Sequence, residues 1–244
     1  MKSSENRLNR LLHTFEHYQN SAAPDTTHDE VSYFMGISLM STRFFSKNVI
    51  WNYLQHFDAD NRHFVILVAD SLESHNYQHF YSLPIDEARH KSKSIGMNYL
   101  RGYEKVGRNF NKCRIVLTSD LEMDHRYALT RKKVVEFYST SREFRNNVKF
   151  EVKKNLGAFI DGLPQMNPEH HPSDLERYVL GEIAITLYLH QISGAIELQQ
   201  VSRNKQSILT ELTQYEDLLL ATKTYLTSGS YIHWTPEGNQ RAAA

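Results

Sequence analysis

Residues 63–70 read HFVILVAD, an unbroken apolar run closed by an aspartate. A run this short and this continuous fits a strand covered on both faces. A strand with one wet face would alternate apolar and polar residues instead. Two other stretches read the same way: VSYFMGIS (31–38), which ends in a glycine-containing turn, and CRIVLTSDL (113–121). Long helical stretches separate the three. One helix is expected from about Ser46 to Phe57 and another over 84–106, opened by Pro84, a residue suited to a first helical turn. Strands alternating with long helices predict an α/β, Rossmann-like, mainly parallel sheet with helices on both faces, in a single domain. Ligands in such a sheet sit at the carboxyl ends of the strands. The turn Gly36-Ile37-Ser38 is therefore the first place to look for chemistry.

Working outward, Leu8, Leu11, Leu12, Phe15 and Tyr18 give residues 1–20 an amphipathic helical spacing. The polar stretch NSAAPDTTHDE (20–30) reads as a linker. The expected division is an N-terminal helix and linker (1–30), the Rossmann-like domain (31–238) and a tail (239–244). Within the domain, SLESHNYQHFYSL after Asp70 reads as a loop, helices are expected over 124–147 and 148–160, and the three-proline segment 161–174 reads as a loop. A helix over 174–191 has Ser173 or Asp174 as its cap. A late strand at 195–201 and a final helix at 204–227 complete the reading.

The 244 residues carry 28 basic and 28 acidic side chains, so bulk charge does not hold this chain on nucleic acid or membrane. A local basic stripe is still open to it. Ten glycines, six prolines and 40% hydrophobic residues are globular values. A single cysteine, Cys113, excludes an internal disulfide framework and a cysteine-based zinc cage, and fits a reducing, cytoplasmic setting. No span of about 18 apolar residues suggests a transmembrane helix, and the first twenty residues lack the apolar core of a signal peptide.

Three groupings could carry chemistry. In Gly36-Ile37-Ser38-Leu39-Met40-Ser41 a glycine two residues before a serine lets a substrate approach the backbone. The bland reading is a simple turn. The hydrolase elbow is excluded, because Met40 stands where its second glycine would be. In Tyr178-Val-Leu-Gly-Glu182-Ile-Ala-Ile-Thr-Leu-Tyr-Leu189, Glu182 is the single carboxylate of an apolar helix, and Tyr178 shares its face one turn earlier. A carboxylate there is either paired with a cation or kept for function. In the 84–106 helix, Arg89, Lys93, Arg101 and Lys105 recur at multiples of four, with Met97 in the gap and Arg108 just beyond. Such a stripe either follows a phosphate backbone or is a solvated face. Arg131-Lys132-Lys133 could extend it or be a separate solvated cluster. Thirteen histidines form no recognisable metal motif, and neither a phosphate-loop lysine nor G-x-G-x-x-G is present, so no metal and no cofactor are expected.

Taken together, Phe34-Met-Gly36-Ile-Ser38, the following Ser-Thr-Arg-Phe-Phe-Ser (41–46) and Tyr178-Val-Leu-Gly-Glu182, at this separation, resemble the cyclodipeptide synthases over roughly residues 30–200. That family is similar in fold to the catalytic domain of class I tyrosyl- and tryptophanyl-tRNA synthetases. The resemblance implies a ping-pong reaction on two aminoacyl-tRNAs, through aminoacyl- and dipeptidyl-serine intermediates, that ends in a diketopiperazine. It implies Ser38 as nucleophile, with Tyr178 and Glu182 holding the aminoacyl ammonium and relaying protons. Gly36, Phe34, Ser41, Val68 and Ile185 would line the first pocket, and Arg89, Lys93, Arg101, Lys105 and Arg108 would hold tRNA phosphates. A monomer that needs neither cofactor nor membrane is implied as well. Ser41 stands where one subfamily has asparagine, which places the chain closer to the other subfamily. Where the family has a tyrosine for cyclisation, this chain reads Gln199-Gln200-Val201-Ser202, so Tyr231 or another group would serve. A non-catalytic tRNA-binding module of the same fold is the alternative. An esterase on a small molecule would need a general-base histidine near Ser38.

Overall fold

The computed structural model describes residues 7, 9–12, 33–39, 50–51, 54–55, 63–160, 173–193, 196–197, 232–234 and 240–242. The three apolar runs form parallel neighbours: β1 (Tyr33–Ile37), β2 (Phe64–Val68) and β3 (Cys113–Leu117). After β2 come helices α1 (Asp70–Tyr81) and α2 (Ile85–Gly107). After β3 come the four-residue α3 (Thr118–Leu121), then α4 (His125–Thr140), α5 (Arg142–Ile160) and α6 (Asp174–Ser193). The two-residue β4 (Ile196–Glu197) returns to pair with β1, also in parallel. Strand order is β3-β2-β1-β4, as in one half of a Rossmann sheet. A separate antiparallel pair joins β5 (Ile232–Trp234) to β6 (Gln240–Ala242).

All five residues of β2 are buried, as its unbroken apolar run requires. Alternate residues feed two cores. Phe34, Val65 and Leu67 join side chains of α4, α5 and α6, whereas Tyr33, Met35, Ile37, Ile66 and Val68 join Leu100 and Tyr103 of α2. Each such side chain contributes on the order of 2 kcal/mol on leaving water. Leu11 belongs to the first of these cores, and the Arg7 guanidinium makes a two-pronged ion pair with the buried Asp120 at 2.7 and 2.9 Å. The early helical residues are thus fastened to the end of β3. Among the described residues no helix is long and apolar enough to cross a membrane.

Three expectations change. The loop expected after Asp70 is helix α1. The expected strand 113–121 stops at Leu117, where Asp120 turns back to accept the Leu117 amide at 2.9 Å. The break expected at 147/148 falls at Ser141 instead. Its extended backbone ends α4, and its hydroxyl accepts the Phe144 amide at 3.1 Å to cap α5. The cap of α6 is Ser173, in a reciprocal box with Glu176: Ser173 Oγ accepts the Glu176 amide at 3.3 Å, and Glu176 accepts the Ser173 amide at 2.6 Å. Of the helix expected at 46–57, residues 50–51 and 54–55 are described and helical. The helix at 204–227 lies outside the described residues, as does most of the 195–201 strand.

Helix α1 escapes sequence reading because polar side chains fill its buried side: Asp70, Glu73, Ser74, His75 and Asn76 are all enclosed. It is wedged between α2 and α6, and two glycines make the room. A methyl added at Gly96 of α2 would stand 2.5 Å from Cβ of Asp70, and one at Gly181 of α6 would meet the side chain of Leu72. Asp70 pins the start of α1 by accepting from Thr118 Oγ1, Ser119 N and Ser119 Oγ at 3.0, 2.9 and 2.6 Å.

Gly96→Ala should therefore destabilise the fold. Overpacking costs about 1–3 kcal/mol against a helix-propensity gain of about 1 kcal/mol, and Asp70 Cβ cannot yield without moving α1. Gly181→Ala meets a Leu72 methyl that can rotate away, so thermal unfolding should show a smaller drop in melting temperature for it than for Gly96→Ala. Burial, reinforced by the Arg131 charge, lowers the His75 imidazole to about 4. The unfolded chain takes up that proton near pH 6.5 and the folded chain refuses it. This contribution to stability is complete above about pH 6.5 and is lost as pH falls toward 4, by up to ~1.4 kcal/mol per pH unit. Urea midpoints at pH 7.5 and 5 should differ less in His75→Gln than in the parent chain.

Candidate active site

Ser38 follows directly on Ile37, the last residue of β1, with the facing of Phe34 and Gly36 toward the α6 layer. Strand order runs outward from β1 to β2 on one side and to β4 on the other, so Ser38 stands where the sheet's connections change direction. Open parallel sheets leave a crevice at that point. A hydrogen bond of 2.9 Å from the Ala69 amide to the Ile37 carbonyl holds the ends of β1 and β2 together beside it.

On α6, Ile183 to His190 are all buried, yet Tyr178 and Glu182 on one face are only half-buried. Gly36 and Ser38 are likewise the half-exposed positions at the end of an otherwise buried β1. Three of these solvent-reaching positions, Ser38, Tyr178 and Glu182, meet. The Tyr178 hydroxyl is hydrogen-bonded to Glu182 and to Ser38. Burial of that hydroxyl pushes its pKa well above the ordinary tyrosine value, and the nearby Glu182 and Glu73 charges push it further. Tyr178 therefore remains a protonated donor at neutral pH, and proton acceptance falls to the carboxylates.

The second carboxylate was missed by sequence reading. Glu73 of α1 is fully buried, and its Oε1 accepts the hydroxyl of Ser38. Its Oε2 accepts Asn76 Nδ2 at 2.7 Å, one turn along the same helix. Glu73 sits in the first turn of α1, where the helix's unpaired amides favour negative charge. The one signal in the sequence was a glutamate three residues after the aspartate that closes the central strand, within a stretch polar enough to read as a loop. The cluster comprises a nucleophile-type hydroxyl, a phenol that keeps its proton and two carboxylates, one enclosed and one half-exposed. That set can bind a cation and move a proton to or from Ser38.

The other expected site residues divide. Phe34 and Ile185 are buried together in the α6 layer. Val68 does not join them: it points to the α2 side with Ile37 and Leu100, and Leu67 holds the equivalent place on the Ser38 side. Ser41, Gln199 to Ser202 and Tyr231 lie outside the described residues. Arg89, Lys93, Arg101, Lys105 and Arg108 are all exposed. A four-residue step advances about 40° round a helix, so the stripe winds around α2 rather than running straight along it. Arg131 and Lys132 belong to α4 on the opposite layer and face Glu122 and Glu136 at 4.0 and 3.7 Å, so they form a separate solvated cluster. A cavity of about 410 Å³ lined by Arg7, Arg10, Arg108 and Arg114 opens along β3, the edge strand separated from β1 by β2. Among the described residues no group of histidine, cysteine and acidic side chains is placed to hold a metal ion.

No protein-family model matches the chain. No curated protein matches it in sequence. Solved structures do match. A cyclodipeptide synthase from Fluoribacter dumoffii is 18% identical with a TM-score of 0.59, over 80% of this chain and 83% of that one. The cyclodipeptide synthase of Candidatus Glomeribacter gigasporarum, solved bound to Phe-tRNA, is 13% identical with a TM-score of 0.57, over 82% and 89%. A Mycobacterium tuberculosis protein, described as showing that cyclodipeptide synthetases are related to type I tRNA synthetases, is 12% identical with a TM-score of 0.58, over 83% and 81%. At such low identity the likeness is one of backbone, and it extends over most of both chains. The Rossmann-like architecture built around Ser38 is the fold of the cyclodipeptide synthases.

Proposed function

We propose that this chain is a cyclodipeptide synthase that draws both amino acids from aminoacyl-tRNAs. The observation that carries the reading is the meeting of Ser38 with Tyr178 and Glu182, which lie 140 and 144 positions later in the chain, at the switch point of this fold. An aminoacyl ester is already activated, so the reaction needs no ATP. Ser38 Oγ takes the first aminoacyl group and releases tRNA. The half-exposed Glu182 and the Tyr178 hydroxyl receive the ammonium of that group, a charge-assisted contact. The bound amine, once deprotonated, attacks the ester of a second aminoacyl-tRNA, which leaves a dipeptide on Ser38. The new terminal amine then closes on the Ser38 ester, and the diketopiperazine departs as Oγ is freed. Covalent catalysis splits one demanding transfer into these easier steps. The exposed Arg89, Lys93, Arg101, Lys105 and Arg108 supply a basic surface for tRNA phosphates.

Ser38→Ala should abolish diketopiperazine in the medium of a bacterium expressing the chain while leaving tRNA affinity intact. Mass spectrometry of that medium, with a filter-binding measurement, checks both. Glu182→Gln should lower turnover about 10- to 150-fold, since losing a charge-assisted hydrogen bond to the ammonium costs about 1.5–3 kcal/mol. Wild-type turnover in Glu182→Gln would contradict the ammonium role. Neutralising Arg89, Lys93 and Arg101 together should weaken tRNA binding and flatten the log–log salt dependence by about 2. An unchanged salt slope would move the tRNA surface elsewhere.

A further inference from the structure

The geometry points to Glu73 as the general base that takes the Ser38 proton and the general acid that gives it back. This inference rests on the reading of Ser38 as an acyl-accepting nucleophile. A serine hydroxyl is a weak nucleophile until an adjacent base accepts its proton. Histidine commonly fills that place, but here the side chain that accepts from Ser38 Oγ is the carboxylate of Glu73. Nothing about the contact is loose. Glu73 has no solvent exposure, its second oxygen is held by Asn76 at 2.7 Å, and its helix is pinned one turn earlier by the three hydrogen bonds of Asp70.

The two carboxylates of the site stand in different environments, and their tasks divide accordingly. Glu182 is half-exposed, so an incoming ammonium can reach it from solvent. Glu73 is enclosed behind Ser38 and serves the hydroxyl. In acylation, Ser38 Oγ attacks the ester carbonyl while its proton passes to Glu73 Oε1. The bond from the carbonyl carbon to the tRNA ribose oxygen then breaks, and Glu73 gives its proton to that oxygen. In ring closure the terminal amine attacks the Ser38 ester and yields a proton to Glu73. The bond from the carbonyl carbon to Oγ breaks, and Glu73 returns the proton to Oγ. Each cycle ends with a neutral serine and a carboxylate. Ring closure then needs no tyrosine in the 199–202 region.

The test is single-turnover acylation of Ser38, using total tRNA charged with radiolabelled amino acids and read by acid precipitation and peptide mass spectrometry. Parent, Glu73→Gln and Glu73→Ala chains are compared. Glu73→Gln keeps shape and hydrogen bonding but cannot take the proton. It should acylate about 10²- to 10⁴-fold more slowly, with melting temperature and tRNA affinity near those of the parent. Adding formate should restore part of the rate in Glu73→Ala, because a small carboxylate can occupy the space left. Acylation at the parent rate in Glu73→Gln would overturn the role of Glu73 while leaving the synthase reading intact. A defect confined to melting temperature or tRNA affinity would also overturn it, by assigning Glu73 to structure alone. A parent chain that acylates Ser38 from none of the charged tRNAs would overturn both readings.

Discussion

The site depends on one buried anchor. Asp70 has no solvent exposure, and it is satisfied by the two hydroxyls and one amide that Thr118 and Ser119 offer from the end of β3. An enclosed carboxylate is costly unless its oxygens are saturated with donors, and here they are. The contact fixes the first turn of α1 across the carboxyl ends of β2 and β3. Ser71 strengthens the joint, since its amide and its hydroxyl both donate to Thr118 Oγ1, at 3.0 and 2.9 Å. Three residues after Asp70, Glu73 arrives against Ser38 with no freedom to drift.

Two close helix contacts complete the arrangement. α1 passes between α2 and α6 at Gly96 and Gly181; a methyl at Gly96 would press on Cβ of Asp70 and force α1 to move, whereas one at Gly181 would meet only the end of the Leu72 side chain. The same wedge brings the half-exposed face of α6 to β1, so the anchor that places Glu73 also faces it toward Tyr178 and Glu182. A second anchor steadies α6 from behind. Tyr188 donates to Asp124 at 2.7 Å, and Tyr138 donates to Glu176 at 2.8 Å, tying α6 to α4. Burial alone would raise the Asp124 carboxyl, but its hydrogen bonds from Arg126 and Tyr188 outweigh that and hold it below the usual carboxylate range. Polar groups are thus spent at the ends of helices, while the sheet faces remain apolar.

The outer surface follows from the two-sided sheet. α2 buries Leu100 and Tyr103 against one face and leaves its arginines and lysines outside. α4 and α6 cover the other face, and their surface cations are paired locally, as Arg131 is with Glu122. The exposed side chains of α2 thus include more cations than carboxylates, although the chain as a whole has no net charge.

The sequence by itself determined the parallel sheet, because an apolar run such as Phe64–Val68 has no stable place except between two covering layers. It also pointed to α2 through its length and Pro84 and to α6 through its length and cap, to Ser38 by its place in the turn after a buried strand, and to Glu182, with Tyr178 one turn earlier, as the single carboxylate of an apolar helix. It could not reveal α1. Helical periodicity is legible only when one face is apolar and the other wet, and α1 buries Asp70, Glu73, Ser74 and Asn76 among partners from other elements. Nor could it assign Val68 to its layer, since every residue of β2 is apolar and strand phase is set by the pairing register with β1. Tertiary structure alone decided that Glu73 meets Ser38. That contact joins residues 35 positions apart and exists because the packing of α1 between two glycine-bearing helices leaves the glutamate no other place.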